Sequence, residues 1–476
     1  MRAVGGADRA GSAACTRTGL AAALVLALGV AGAHAQTLEQ ALSQTYGSSP
    51  TLNAQRAAVR ATDENVPTAR AGLMPKVFGQ ANVGREWANA KSPASFGGLV
   101  PGGRSNVDSY PRGYNFSIQQ PLFDGFRTPN SIKQAEASIL AARANLANTE
   151  ETVLFDAVQA YMNVLRDLAL WNLQKSNVNL LNETLRQTNE RFKVGDVTRT
   201  DVAQAQASLA AARSAMIAAE GQLKLSRAVY QQVIGSPPGK LYPGRPADRL
   251  LPRGGQNAAV AFALRNHPAV LVALHTVDVD QYQVKIAEGA LLPSVTVTGS
   301  AGQQWESSTQ VKQINDASVV ASLTVPIYQG GGEYAAVRKA KETLGEARIQ
   351  ADLTRDQVRE GVVSAWASLE SARAEISADQ AAVDAAQIAA NGVAEELKVG
   401  QRTTLDLLNA EQALLNAKVT LIGAQRDRVV ASYAVLQAMG TLTAGNLGLQ
   451  VARYDPTVHY RQVHDKWFGL RTPEGQ

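Results

Sequence analysis

Lys193-Val-Gly-Asp-Val-Thr-Arg-Thr-Asp201 returns 205 residues later as Lys398-Val-Gly-Gln-Arg-Thr-Thr-Leu-Asp406. In both stretches a glycine halts one run, and a threonine followed three residues on by an aspartate starts the next. Thr198 with Asp201, and Thr403 with Asp406, read as capping boxes, in which threonine takes an amide of the first turn and the acid answers the threonine's own amide. Gly195 and Gly400 are therefore predicted to be the turns at the tips of two helical hairpins.

Outward from the tips the same offset relates Pro121-Leu-Phe123 to Pro326-Ile-Tyr328 and Gly235 to Gly440. Upstream the offset becomes 218, pairing Ser49-Pro-Thr-Leu52 with His267-Pro-Ala-Val270, Pro75 with Pro293, Gly84 with Gly302 and Trp87 with Trp305. Such self-similarity marks an internal two-fold repeat. Residues 36–250 and 251–452 are predicted to be two copies of one unit (helix, two strands, long helix, tip helix), with 453–476 a polar, loosely held tail. The change of offset falls in the first copy, where residues 94–112 are rich in Gly, Pro and Ser and read as a surface loop.

Runs over 130–194 and 334–399, each about 65 residues and free of proline, predict helices on the order of 100 Å long. The helices after the tips are only about 38 residues long, and the helices beginning at Pro50 and Pro268 about 23. Two short helices stacked end to end would match one long one. Val202, Leu209, Met216, Leu223 and Tyr230, with Ala205, Ala212 and Ala219 between them, keep a seven-residue apolar spacing that predicts coiled-coil packing, and small alanines let the helices approach closely. The second copy repeats this from Leu407 to Ala438.

The strands alternate. Val295, Val297, Gly299 and Ala301 alternate with Ser294, Thr296, Thr298 and Ser300, and Val319, Ala321, Leu323, Val325 and Ile327 continue the pattern after Ser318. Trp87 and Trp305 are predicted at the far ends of these strands and Phe123 and Tyr328 at the near ends, as the two aromatic rims of a membrane barrel require. Four strands cannot close a barrel, so the chain is expected to oligomerise.

Arg2, Arg9 and Arg17 precede an apolar run at 20–33 that ends in Ala33-His34-Ala35, the pattern of a secretory signal with a mature chain from Gln36. The single cysteine, Cys15, lies before that run, where it can serve neither a lipid anchor nor a disulfide. The whole chain carries +5, and about +3 remains beyond the signal, too weak a balance for nucleic acid. No apolar run of membrane-spanning length follows the signal, so spanning a membrane would require a closed barrel.

These residues, above all Pro326-Ile-Tyr-Gln-Gly-Gly331, Arg191-Phe-Lys-Val-Gly195 with Thr200-Asp201, and Lys398-Val-Gly-Gln-Arg402 with Asp406-Leu-Leu-Asn409, resemble the TolC family of outer-membrane efflux and secretion channels over nearly the whole chain. The resemblance implies an α+β membrane protein. In it, a homotrimer forms a 12-stranded β-barrel, four strands per chain, continued by an α-helical coiled-coil tunnel in the periplasm of a Gram-negative cell. It further implies contact with outer-membrane lipid, a periplasmic adaptor (membrane fusion) protein and an inner-membrane ABC or proton-driven pump. Asp406 falls at the first position of the family's acidic constriction, and Asn409 stands where a second acid is usual. Arg402, Asp201 and Thr200 fall at the family's links between coils, and Leu397 replaces an aromatic of that network.

No Gly-x-Ser-x-Gly, Ser-x-x-Lys, His-Glu-x-x-His or phosphate loop occurs, so no enzyme, cofactor or metal site is expected. His267, His275, His459 and His464 lack metal-ligand spacing and read as solvated surface. The alternative is a periplasmic coiled-coil adaptor or scaffold without its own pore. Two tandem hairpins and four amphipathic strands favour the conduit. Lacking a lipid-attachment cysteine, the chain leans toward the type I protein-secretion branch, although the exported substrate cannot be read.

Overall fold

The computed structural model describes residues 36–92, 103–308, 311–473 and 475. The signal region, including Cys15, lies outside them. Helix α1 (Leu38–Ser48) opens on a capping box between Thr37 and Gln40. Helices α2 (Pro50–Asp63) and α3 (Asn65–Arg70) follow, and a 3-10 turn leads into β1 (Lys76–Val83). Strands β2 (Glu86–Ser92), β3 (Gly103–Ser109) and β4 (Arg112–Phe123) come next, and the first long helix, α4, spans Arg127–Lys193. The first tip helix is α5 (Arg199–Ile234). The second copy runs α6 (Gly255–Asn266), α7 (Pro268–Gly289), β5 (Ser294–Ser308), β6 (Val311–Thr324), α8 (Gly332–Lys398) and α9 (Thr404–Ala438), and a short α10 (Thr457–Val463) closes the chain.

The long helices measure 67 residues each. End-to-end stacking holds in both copies. The end of α5 meets the start of α2, where the Ser48 hydroxyl donates to the Ile234 carbonyl at 3.3 Å. The end of α9 meets the start of α7 at Gly440, whose φ of +75° lies in the left-handed region and where an added Cβ would come within 2.7 Å of Pro268 Cδ. Proline suits both receiving helices, since it holds the helical φ and its missing N–H costs nothing in a first turn.

The heptad seam of α5 is buried as its spacing predicts, with Ala205, Leu209, Ala212, Leu223 and Tyr230 all inside. In α9 the spacing captures only one of two faces. Leu408, Val429, Tyr433 and Leu436 bury a second face, chiefly among side chains of α4. Helix α9 is therefore sandwiched, whereas α5 leaves Ile217, Leu225 and Val229 exposed. Gly255–Gly289, the one described stretch apolar and long enough to cross a bilayer, breaks at His267 into α6 and α7, and α7 packs against both α4 and α8.

Strands β1, β4, β5 and β6 form one antiparallel sheet in that order, so a strand of the first copy pairs with one of the second. Register puts Val77, Ile118, Gly299 and Val319 in one row, and Gly79, Phe116, Ala301 and Ala317 in the next, on a single apolar face. The opposite face carries Ser117, Ser300 and Ser318, with Ser300 and Ser318 hydroxyls 2.9 Å apart. Both outer edges, β1 and β6, are unpaired among the described residues.

Several expectations are corrected. The loop at 94–112 is in part a β-ribbon, because β2 pairs with β3 from Glu86↔Ser109 to Ser92↔Gly103; its tip lies outside the described residues. Trp87 sits on that ribbon rather than at the end of β1, since the pairing breaks at Gly84 and resumes at Glu86. The segment after Val451 is not loose. It folds back on α2 and α4, where His459 Nδ1 lies 3.0 Å from Asp63 Oδ2 and Arg143 stacks over Tyr460. Asp63 is fully buried, and a buried carboxylate needs a polar partner, which here lies 396 residues away. His459 is thus largely enclosed, and His267 caps α7 by accepting the Ala269 amide at 3.1 Å, so neither histidine is the solvated surface residue its spacing suggested.

At mid-height Glu150 accepts the Ala444 amide at 2.7 Å and ties the segment after α9 to α4. Neighbouring Glu151 is 1% exposed. Burial, with the Glu150 carboxylate alongside, pushes its carboxyl from 4.5 to about 9, against the pull of the Leu442 amide. Below its ordinary value the group is protonated in folded and unfolded chains alike. Between there and about 9 unfolding releases a proton, which opposes folding by up to about 1.4 kcal/mol per pH unit. Glu151→Gln should match the parent at about pH 4 and gain on it as the pH rises, in denaturant unfolding across a pH series; an equal gap at both ends overturns the assignment. At the α9–α7 junction, Gly440→Ala should destabilise by about 2 kcal/mol or more, from left-handed strain plus the Pro268 contact. Gly423→Ala, mid-helix with nothing within 4 Å of the added Cβ, should raise the thermal midpoint instead.

Candidate functional site

The two hairpin tips are built alike. Gly195 (φ +82°) and Gly400 (φ +76°) supply the left-handed turns. Their amides donate to the Phe192 and Leu397 carbonyls at 3.0 and 3.2 Å, and the next amides, of Asp196 and Gln401, reach the Arg191 and Glu396 carbonyls at 2.9 and 3.0 Å. This closes the ends of α4 and α8 without leaving their last carbonyls orphaned.

Both capping boxes are present. The Thr198 amide and hydroxyl donate to Asp201 Oδ2 at 2.8 and 2.7 Å, and the Thr403 amide and hydroxyl donate to Asp406 Oδ2 at 3.0 and 2.8 Å. These bonds hold both aspartate carboxyls below the usual carboxylate range, the hydroxyl of Thr198 leading at Asp201 and the amide of Thr403 leading at Asp406. All four fall on Oδ2, so each aspartate keeps Oδ1 available to a further donor.

Within one chain the candidate links are otherwise engaged. Arg402 Nε donates to Glu396 Oε2 at 2.9 Å, and Arg191 Nε donates to Asp196 Oδ2 at 2.6 Å. Neither arginine was singled out with these partners by sequence spacing, because the tight turn brings together residues five and six apart that an extended helix would separate. Thr200 is exposed in the first turn of α5 and Asn409 in the second turn of α9, and Leu397 is half-buried. Asn409, three residues after Asp406, shares its face of α9.

Aromatics gather at both ends of the sheet. At the end far from the helices, Tyr114 lies 5.9 Å from both Trp305 and Phe116. At the helix end, Phe123 meets Phe126 edge-on at 5.0 Å, and Tyr328 stands exposed in the turn after β6 rather than within a strand. Tyr114 and Phe126 escape a search for aligned repeat positions because neither has an aromatic counterpart in the second copy.

The family described as Outer membrane efflux protein matches residues 41–236 and again 260–441. The chain is similar to the outer membrane efflux protein BepC of Brucella suis biovar 1 (strain 1330), at 43% identity over 96% of this chain and 98% of that protein. It is also similar to the alkaline protease secretion protein AprF of Pseudomonas aeruginosa, at 27% identity over 81% and 80% of the two chains. Among solved structures, the Campylobacter jejuni CmeC outer membrane channel superposes with a TM-score of 0.75 at 17% identity, covering 90% of this chain and 89% of that one. Matched across both of its halves, and aligned to such a relative along nearly its whole length, this chain belongs to the outer membrane efflux protein family.

Proposed function

We propose that three copies of this chain join β1 of each to β6 of the next, closing a 12-stranded barrel in the outer membrane above a helical tunnel in the periplasm. The trimer acts as the exit duct of a tripartite export system. The observation that carries this reading is the four-stranded sheet itself, with one apolar face, Ser117, Ser300 and Ser318 beside Phe78 and Val320 on the other, and both edges unpaired among the described residues. In lipid such edges are untenable, and closure through further copies satisfies every backbone group. The exposed apolar side chains of α5 (Ile217, Leu225) and α8 (Ile349, Ile388) supply faces for the neighbouring subunits.

The duct performs no chemistry. Its contribution is a water-filled path, and discrimination lies with the periplasmic adaptor and inner-membrane pump that engage the tips. Cargo enters by type I protein secretion or by small-molecule efflux, a reading supported by the names of two relatives, one an efflux protein and the other an alkaline protease secretion protein.

The tips form the gate. Asp406 and Asn409 face the axis as the constriction, a ring with one acid per chain. Arg402 and Asp201 link the coils when shut, Arg402 exchanging Glu396 for the free Oδ1 of Asp201, with Thr200 alongside. Such exposed pairs are weak singly and screened by salt, which suits a latch that a partner must release.

The deciding experiment is planar-bilayer conductance of the detergent-purified protein with its oligomeric mass from the same sample. Discrete openings from a trimer support the duct; a soluble, non-conducting species overturns it. Asp201→Ala and Arg402→Ser should each raise single-channel conductance. Thr198→Ala removes the cap, at about 1 kcal/mol, but keeps the charge, and should leave conductance near that of the parent. Unchanged conductance in the first two variants, at unchanged trimer yield, overturns the latch.

A further inference from the structure

The strip that follows α10 has no counterpart in either repeat. Helix α10 is pinned by Val463, fully buried, and by the His459–Asp63 contact. The chain then passes Arg70, which donates to the His464 carbonyl at 3.1 Å and pairs with Asp465. Residues 464–467 thereby lie in one hollow with Arg70, Met74, Pro75 and Lys76, where the chain turns upward into the first strand of the sheet.

Beyond that point the sequence is Lys466-Trp-Phe-Gly-Leu-Arg471. Trp467, Phe468 and Leu470 are 72%, 91% and 101% exposed. A turn at Gly469 (φ +114°), with Lys466 Nζ donating to the Arg471 carbonyl at 2.6 Å, folds the strip on itself. Three large apolar side chains held in water forfeit the gain of burial, so an unoccupied strip of this kind is costly.

Position and composition name the occupant. The strip stands beside Lys76, one residue from Val77, where the apolar face of the sheet begins at its helix end. Tryptophan and phenylalanine flanked by lysine and arginine are the side chains that settle at the boundary between headgroups and acyl chains, the aromatics in the acyl margin and the cations at phosphates.

Resting on the barrel reading above, we infer that Trp467, Phe468 and Leu470 form an interfacial foot that enters the periplasmic leaflet of the outer membrane, with Lys466 and Arg471 placed for lipid phosphates. The foot fixes the height of the barrel in the bilayer from outside the strands. It also couples the first helices to the membrane surface, because α10 is fastened to α2 and α4.

The test uses the full-length trimer in vesicles of phosphatidylethanolamine and phosphatidylglycerol brominated at shallow acyl positions. One protein keeps Trp467 alone, with Trp87, Trp171, Trp305 and Trp366 changed to Phe; a companion keeps only Trp305, on the sheet's apolar face. Loss of most emission from both supports the foot. Quenching of Trp305 but not of Trp467 overturns it: acrylamide then reaching Trp467 means a water-exposed strip, and acrylamide failing to reach it means cover by a neighbouring subunit or another protein. If lipid bromine quenches neither, the barrel reading falls and takes the foot with it. Where the four-phenylalanine background does not fold, a nitroxide on Trp467→Cys serves, since the only native cysteine is Cys15. Oxygen-favoured accessibility supports the foot, and accessibility to nickel complexes, or to neither reagent, overturns it.

Discussion

The structure depends on a single requirement: a backbone N–H or C=O that meets lipid must find its partner inside the protein. Within one chain the sheet satisfies this between β1 and β4, β4 and β5, and β5 and β6, and among the described residues leaves its two edges unpaired. Hence a duplicated chain supplies only part of a wall. Duplication alone does not give a barrel, because the two hairpins join through β4 and β5 into one open sheet rather than closing on each other. The edges left unpaired among the described residues, the apolar face and the exposed stripes on α5 and α8 are the features on which the proposed completion by further copies rests.

Below the sheet the governing constraint is length. A helix of 67 residues needs a partner of equal reach, and each copy supplies it in two pieces that abut at Gly235 and Gly440. Both joints turn left-handed at the end of one helix, Gly440 directly against Pro268 and Gly235 against Ser48, two residues before Pro50 opens α2. The strands leave from the far ends of α3 and α7, away from these joints, so the sheet and the end-to-end contacts do not compete for the same place. The two copies are equal in outline but unequal in packing, because α9 lies against α4 as well as α8 and acquires a second buried face. The two tips, alike in their glycine turns and capping boxes, thus sit in different surroundings, and only the second carries an arginine two residues after its glycine.

Charge placement divides the molecule in the same way. At the tips, Asp201 and Asp406 are half-exposed and stabilised in their ionised form by threonine caps. At mid-height, Glu151 is buried and favours its protonated form, while Glu150 beside it fastens the segment following α9. The tip carboxylates thus stay charged within their caps, whereas Glu150 ties the segment after α9 back onto α4.

Local pattern carried a great deal. Period-two alternation set which residues of β5 and β6 share a face; seven-residue spacing set the buried seam of α5; glycine followed by Thr-x-x-Asp set the tips, since each feature depends only on neighbours a few residues away. What the sequence could not carry were contacts made over long separations: Asp63 with His459, Glu150 with the amide of Ala444, the second face of α9, and the pairing of β4 with β5. Trp87 was misplaced for a related reason, as alternation does not register where a ladder breaks and a separate ribbon begins. Sequence alone therefore determined the elements, their lengths and their two-fold repetition, because those follow from backbone periodicity and turn chemistry. Only the tertiary structure decided which edges stay open, which charges are buried and where the C-terminal strip lies, because burial and pairing depend on residues that the chain brings together only on folding.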